Sequence, residues 1–354
     1  MNLKTHKDWT LKLLKREITF HDYLMFIIRR VYVRMQMKYN THLKKVVVVD
    51  RSNGRDVGLV LLTGLYPATW DVVFRRVYEY ADGVDVVVLN AGGFNRERAM
   101  ELAKEYGFSY VEGYPNNYTA LQNYYLMNTS AKIIIKMDDD VFLTKYTIGN
   151  LLETYRKLRE EGYDVGFVAP VLNVNNVTYY HFLKTLGLVE EYERLFEKPI
   201  YIRNWTKQRV WYDPEVAKWL WENSLPLNEV AEVFQQKNRD KIDTIPVRFS
   251  IQLILYEASF LKQLGGLSSP GPKFVDLQRN TDRIYKATPQ IKAPRIVIPL
   301  GDEESINFFA DIYMAGRFLS LSSFAGHLAY FPQSTYMIEW FIRNKEKFLT
   351  DIKR

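Results

Sequence analysis

The stretch KIIIKMDDDVFL, residues 132–143, decides the architecture. Ile133, Ile134 and Ile135 form a β-branched run without polar alternation, which reads as a strand buried on both faces. Asp138, Asp139 and Asp140 follow where that strand should end. Three carboxylates there repel one another and lose hydration, and a divalent cation would remove that cost. Mg²⁺ or Mn²⁺ takes oxygen ligands, often one or two carboxylates plus substrate phosphates. Alternation along an extended strand sends Asp138 and Asp140 to one side and Asp139 to the other. The pair can then face one ion, while Asp139 reaches a ribose or a basic group. A solvated acidic turn would account for the same three residues.

Upstream of this run, strands and helices alternate. Val46 to Val49 is β-branched and precedes a Ser52-Asn53-Gly54 turn. Segments 58–63 and 84–90 read as buried strands and 108–112 as a short one. Segments 68–80, 95–106 and 117–128 read as helices, with Gly107 ending the second. This predicts an α/β fold, a mostly parallel sheet covered by helices on both faces. Ligands of such sheets bind outside the carboxyl ends of the strands, where Thr63, Asn90 and the acids fall. The turn TGLYPATW (63–70) carries no dinucleotide or P-loop glycine fingerprint, which weakens dehydrogenase and ATPase readings. Downstream, 151–162 reads as a charged helix and 163–245 as less regular. An apolar segment spans 249–264, SSPGPK (268–273) reads as a loop, 302–316 as a helix and 334–350 as a final amphipathic helix.

The chain has 354 residues, a net charge of +7 and no cysteine. Disulfides, thiolate metal sites and cysteine nucleophiles are therefore excluded. Residues 1–45 hold eleven Lys/Arg against three acids, a net +8, so the remainder sums to −1. A nucleic-acid binder would spread its positive charge over the folded domain, so no nucleic-acid partner is expected. Leu11, Leu14, Ile18, Met25 and Ile28 recur at helical spacing among the basic residues. Such a helix can lie on an anionic membrane surface, or pack on its own domain with a solvated basic face. No segment reaches the ~18 apolar residues that span a bilayer. The expected location is cytoplasmic, with peripheral attachment to the inner face of a membrane as the extension of that reading.

The run KIIIKMDDDVFL resembles the DxD segment of GT-A glycosyltransferases, and its DDDVF is similar to that of the β-1,3-galactosyltransferase group. The strand–helix alternation before it resembles family 2 glycosyltransferases. Three further segments resemble GT-A features in order. They are YEASFLKQLGG (256–266), with Leu267 where the family has Phe, then GDEE (301–304) and GRFLSLSSFAGH (316–327). The resemblance implies a metal-dependent transferase moving a sugar from a UDP- or GDP-linked nucleotide-sugar donor to an acceptor hydroxyl. It implies nucleotide contacts from Thr63, Asn90, Asp138 and Asp139, and donor-sugar contacts from the Gly265-Gly266 turn. It implies Mn²⁺ or Mg²⁺ on Asp138, Asp140 and His327. The expected organisation is a basic segment over 1–45 and one domain over 46–333, with 171–245 as a variable insertion and candidate acceptor region. A C-terminal helix over 334–354 completes it.

An inverting transfer needs a base for the acceptor proton. Aligned with the family, Glu303 takes that role, Asp302 caps the helix and Glu304 stands beside them. All three could instead serve only the helix dipole. Retention would not need the same base. The basic end of the chain suggests a glycan or lipid-linked acceptor near a membrane. Trp205, Trp211, Trp219 and Trp221 read as core packing or as an acceptor platform. Two other readings compete: a sugar nucleotidylyltransferase, and an inactive membrane-peripheral scaffold that keeps the fold.

Overall fold

The computed structural model describes residues 10–64, 66–201, 208–268 and 301–352. Most of the SSPGPK stretch and Trp205 lie outside these. The strands are β1 (Lys45–Val49), β2 (Val57–Thr63), β3 (Asp85–Ala91), β4 (Ser109–Tyr114), β5 (Ile133–Asp138), β6 (Val141–Phe142), β7 (Val165–Leu172), β8 (Ile242–Thr244), β9 (Leu253–Glu257) and β10 (Gly316–His327). They form one ten-stranded sheet in the order β1-β4-β3-β2-β5-β9-β7-β10-β6, with β8 beside β10.

β2, β3, β4 and β5 are mutually parallel. β9 is antiparallel to both β5 and β7, and β10 runs parallel to β7. Six strands therefore point one way, while β1, β6, β8 and β9 oppose them. Successive residues of β2 and β7 are buried, which requires cover on both faces. The expected α/β architecture is what the chain forms.

The flanking helices follow from apolar spacing. In Trp70–Tyr80, Trp70, Val73, Phe74 and Val77 recur at i, i+3, i+4 and i+7, and all are fully buried. Asn117 caps Tyr118–Asn128 by accepting the Ala120 N–H at 3.0 Å. That helix sits so close to β2 that a Cβ at Gly58 would collide with the Tyr125 hydroxyl.

Several expectations are corrected. Residues 163–245, read as less regular, hold among the described residues β7, β8 and five helices: Tyr179–Leu186, Val189–Leu195, Arg209–Tyr212, Pro214–Glu222 and Leu227–Asn238. The charged helix begins at Thr147 and ends at Glu160. The segment 249–264 divides into β9 and the helix Ala258–Leu264. The helix expected over 302–316 ends at Ile312, and the final one runs Ser334–Asn344 before a short 3₁₀ turn. Within residues 1–45, Phe20–Asn40 is helical behind a Thr19 capping box. Trp221 is fully buried, and Trp211 and Trp219 pack against the core, so these described tryptophans serve packing.

The C-terminal segment is part of the core. Met337, Phe341 and Phe348 are fully buried. Arg76, also fully buried, donates to Leu143 O at 2.8 Å and to Phe348 O at 2.9 and 3.1 Å, and pairs with Asp351. One planar guanidinium thus joins the helix Trp70–Tyr80, the end of the acidic run and the C-terminal turn. Arg76→Met should lower stability by about 3–5 kcal/mol, since it strands two buried carbonyls and a carboxylate. Arg76→Lys should recover only part of that, because an ammonium cannot reproduce the fork. Urea unfolding of the three proteins checks both expectations.

Candidate active site

The carboxyl ends of β2, β3, β5, β7 and β10 lie along one edge of the sheet, where β9 begins. Thr63 and Asn90 stand opposite each other in register, and Leu62 opposite Asp138. The acids, the two predicted nucleotide-contacting positions and His327 therefore share one edge, as expected of a ligand-binding sheet.

Asp139 is bound to the turn after β2. Its Oδ2 accepts the Gly64 N–H at 2.8 Å, the Tyr66 N–H at 3.2 Å and the Trp70 indole N–H at 2.8 Å. The Thr69 hydroxyl adds a 2.5 Å bond to its carbonyl. Asp139 is buried and faces the turn after β2, so it organises that turn. A Cβ at Gly64 would fall on the Tyr118 hydroxyl, which donates to Thr63 O at 3.2 Å.

Asp138 and Asp140 turn elsewhere; the strand ends at Asp138, so a turn and not the expected strand alternation separates the three acids. Asp138 Oδ1 lies 2.7 Å from the buried Lys136 ammonium, which also donates to Ile251 O at 2.7 Å. Burial pushes the Asp138 carboxyl up to about 6, with Lys136 opposing the rise and Asp140 adding to it. Asp140 Oδ2 is 3.4 Å from His327 Nε2, and both side chains are almost wholly buried. His327 Nδ1 meets Val174 O at 2.5 Å. With the proton on Nδ1, the neutral ring presents a lone pair to the Asp140 carboxylate. Two acceptors at that separation need a shared proton or a cation between them. Burial works against the imidazolium, but the Asp140 charge and hydrogen bond, the Val174 carbonyl and the Asp138 charge together outweigh it and lift the His327 pKa above its ordinary value.

Two ligands of one ion, each bonded at about 2.1 Å, stand roughly 3.0–3.5 Å apart, so Asp140 and His327 fit a divalent cation. The Nδ1–Val174 bond is the second contact that orients a ligating histidine. Asp138, the third expected ligand, is committed to Lys136. Among the described residues no three His, Asp or Glu side chains converge on one point.

The remaining expected residues fall as follows. Thr63 donates to Leu89 O at 3.3 Å and is fully buried. The Asn90 amide is spent on the next turn, accepting the Phe94 N–H at 3.0 Å and donating to Phe94 O at 2.8 Å. Gly265 and Gly266 end the helix Ala258–Leu264 at φ 84° and 83°. The turn is tied down: Asn40 donates to Gly265 O at 2.9 Å, and Asn123 brackets both backbone groups of Leu267.

Gly301, not Asp302, is the N-cap of the helix Asp302–Ile312. The Asp302 carboxylate accepts from Gln122 at 2.8 Å and from the Glu303 N–H at 2.9 Å. Glu303 Oε1 is 2.7 Å from Arg248, which also pairs with Glu304. Burial pushes the Glu303 carboxyl up to about 7; Arg248 opposes this, and Glu304 and Asp302 reinforce it. Lys136 feels Asp302 and Glu303 as well as Asp138, so this second acid group faces the first across one buried ammonium. Arg317 pairs with Asp311 at 2.8 Å and stands with that helix.

Several supporting residues escaped the sequence reading. Gln252 O accepts the Asp138 N–H at 2.9 Å, and Asn175 holds the Gln252 side chain at 3.0 Å. Asn173 accepts the His327 N–H at 2.9 Å. The polar run Asn173 to Asn176 directly after β7 was the available signal. Phe94 is the other omission: it is 49% exposed at the tip of the turn that Asn90 clamps. Gly92 and Gly93, at φ 75° and 68°, press that turn against Asn116 and Tyr114.

No family model matches the chain, and no curated protein matches it. Among solved structures it is similar to glucosyl-3-phosphoglycerate synthase from Mycobacterium tuberculosis in complex with phosphoglyceric acid, at 18% identity over 42% of this chain, with a TM-score of 0.28. It is also similar to S. aureus TarS 1–349, at 10% identity over 84% of this chain, with a TM-score of 0.38. The chain spans 55% of the first structure and 66% of the second.

Asp139→Ala should cost at least about 3 kcal/mol, because three donors in a buried turn lose their shared acceptor. Asp139→Asn should cost less, since an amide oxygen can still accept. Thermal melts that rank the two variants the other way would reject the positioning role.

Proposed function

We propose that the chain is a glycosyltransferase that moves a sugar from a nucleoside-diphosphate donor to an acceptor hydroxyl at the carboxyl edge of the sheet. The observation that carries this is the buried Asp140–His327 pair, 3.4 Å apart, with the imidazole already tethered through Nδ1. A cation held there would neutralise charge on the departing diphosphate. Asp140 and His327 would hold it, with donor phosphates and water completing its shell.

The chain's own groups supply the rest. Glu303 stands at a helix start on the same edge, with its pKa lifted to about 7. A carboxylate so poised can take the proton of the acceptor hydroxyl as that oxygen attacks the anomeric carbon and the nucleoside diphosphate leaves. Arg248 orients Glu303 and limits the rise in its pKa. Lys136 offsets the summed charge of both acid groups. Phe94 offers a face for the nucleotide base on a turn held rigid by Asn90 and two left-handed glycines. That turn follows β3, whose end stands two strands from that of β5, about 10 Å at ordinary strand spacing. That separation suits a nucleotide laid across the strand ends, with its base at β3 and its phosphates at β5. The donor base, the sugar, a lipid-linked acceptor and inversion at the anomeric carbon are finer parts of the same proposal.

Screening nucleotide sugars for Mn²⁺-dependent thermal stabilisation tests the reading, since a ligand of the folded state raises the melting temperature. One UDP- or GDP-linked donor should stabilise the protein, and His327→Ala should weaken its Mn²⁺ requirement. No stabilisation by any donor would reject the proposal. Glu303→Gln should cut transfer by at least about a hundredfold while leaving donor affinity nearly unchanged. The base acts as carboxylate, so wild-type turnover should fall as the pH drops through about 7, and Glu303→Gln should lose that limb. Phe94→Ala should weaken nucleoside-diphosphate binding by about fivefold to a hundredfold, and Phe94→Trp should retain it.

A further inference from the structure

The helix Phe20–Asn40 presents an apolar stripe to solvent. Phe20, Leu24, Ile28, Val31 and Met35 are 70, 43, 50, 52 and 67% exposed. At 100° per residue they fall within about 80° of arc. Phe26 and Asn40, two buried residues of the same helix, lie roughly opposite that arc. Asn40 reaches Gly265 and accepts from Asn123 at 2.9 Å, so the helix is fastened by one face and shows the other outward. Leu11 and Leu14, 43 and 74% exposed, extend the apolar surface before it.

The charge around the stripe selects its occupant. Residues 1–45 carry a net +8, and Lys12, Lys15, Arg16 and Lys38 are exposed. A second copy would bring another +8 against the first, a repulsion no acidic patch within the segment relieves. An anionic lipid surface supplies the opposite charge and an apolar layer together. Among the described residues no helix is long and apolar enough to cross a membrane.

We propose that Phe20–Asn40 docks in the plane of an anionic membrane, with Phe20, Leu24, Ile28, Val31 and Met35 in the acyl boundary and the flanking basic residues at the headgroups. The docked helix is bonded through Asn40 to the Gly265 turn, so the lipid surface is held next to that end of the domain. This stands whether or not the chain transfers sugar.

Co-sedimentation of the full chain with vesicles tests it. Wild type should sediment with phosphatidylcholine vesicles containing phosphatidylglycerol and stay in solution with phosphatidylcholine alone. The full chain carrying Leu24→Gln, Ile28→Gln and Val31→Gln should lose at least tenfold in partitioning with an unchanged melting temperature, because these side chains face solvent. If that variant fails to fold, the charge reversal Lys12→Glu, Lys15→Glu, Arg16→Glu should lower partitioning by a similar factor. Equal sedimentation with both vesicle types, or no difference between wild type and the variants, overturns the proposal. A lipid-free dimer that the stripe variant converts to monomer overturns it too, by making a second copy the occupant.

Discussion

The carboxylate of Asp139 gathers the Gly64 and Tyr66 backbone N–H groups and the Trp70 indole at one oxygen. Those donors come from the turn after β2, while the acid comes from the end of β5. The two strands are neighbours in the sheet, and this knot fixes how their ends meet. Without it the turn would carry three buried donors with no acceptor, and the positions of Asp138 and Asp140 would not be set. The middle acid of the run therefore does structural work, while its two neighbours pair with Lys136 and His327. The strand ends at Asp138 and the turn that follows sends Asp139 and Asp140 to different partners.

The two outer acids find different counter-charges. Asp138 meets Lys136, an ammonium with almost no exposure that also serves a carbonyl. Asp140 meets His327, whose other nitrogen is already engaged. Glu303 and Glu304 share Arg248. The edge thus holds more buried carboxylate than fixed cation, and burial raises the pKa of Asp138 and Glu303 accordingly. A diphosphate brought to this edge would be repelled unless further positive charge came with it.

Much of the fold was legible because the parallel half of the sheet is built from apolar, β-branched runs. Strands β2, β3 and β5 announce themselves that way, and the helix Trp70–Tyr80 shows a clean period. β7 did not: VGFVAPVL is interrupted by Gly166 and Pro170, and a helix-rich insertion follows it. β9 was hidden inside a longer apolar run, since nothing local marks where strand gives way to helix. At the site, residue types were readable but side-chain commitments were not. The amides of Asn90 and Asn123 look alike in sequence, yet one clamps the turn bearing Phe94 and the other brackets Leu267. Lys136, two residues before Asp138 on the same strand face, stood in a position to neutralise it, and only the burial around it makes that pairing obligatory.

The sheet is assembled out of chain order, and that shapes the life of the polypeptide on the ribosome. β5 is complete at residue 138, but its outer neighbour β9 begins at residue 253. The amino-terminal parallel strands can pair as they emerge, yet the free edge of β5 stays open while more than a hundred further residues are translated. β10, which finishes the other half, arrives later still. An open edge of that kind is a template for wrong pairing with other nascent chains. Slow elongation through residues 139–252 would lengthen that exposure, so yield in a heterologous host should respond to codon choice across this insertion and to chaperones that shield nascent sheet edges.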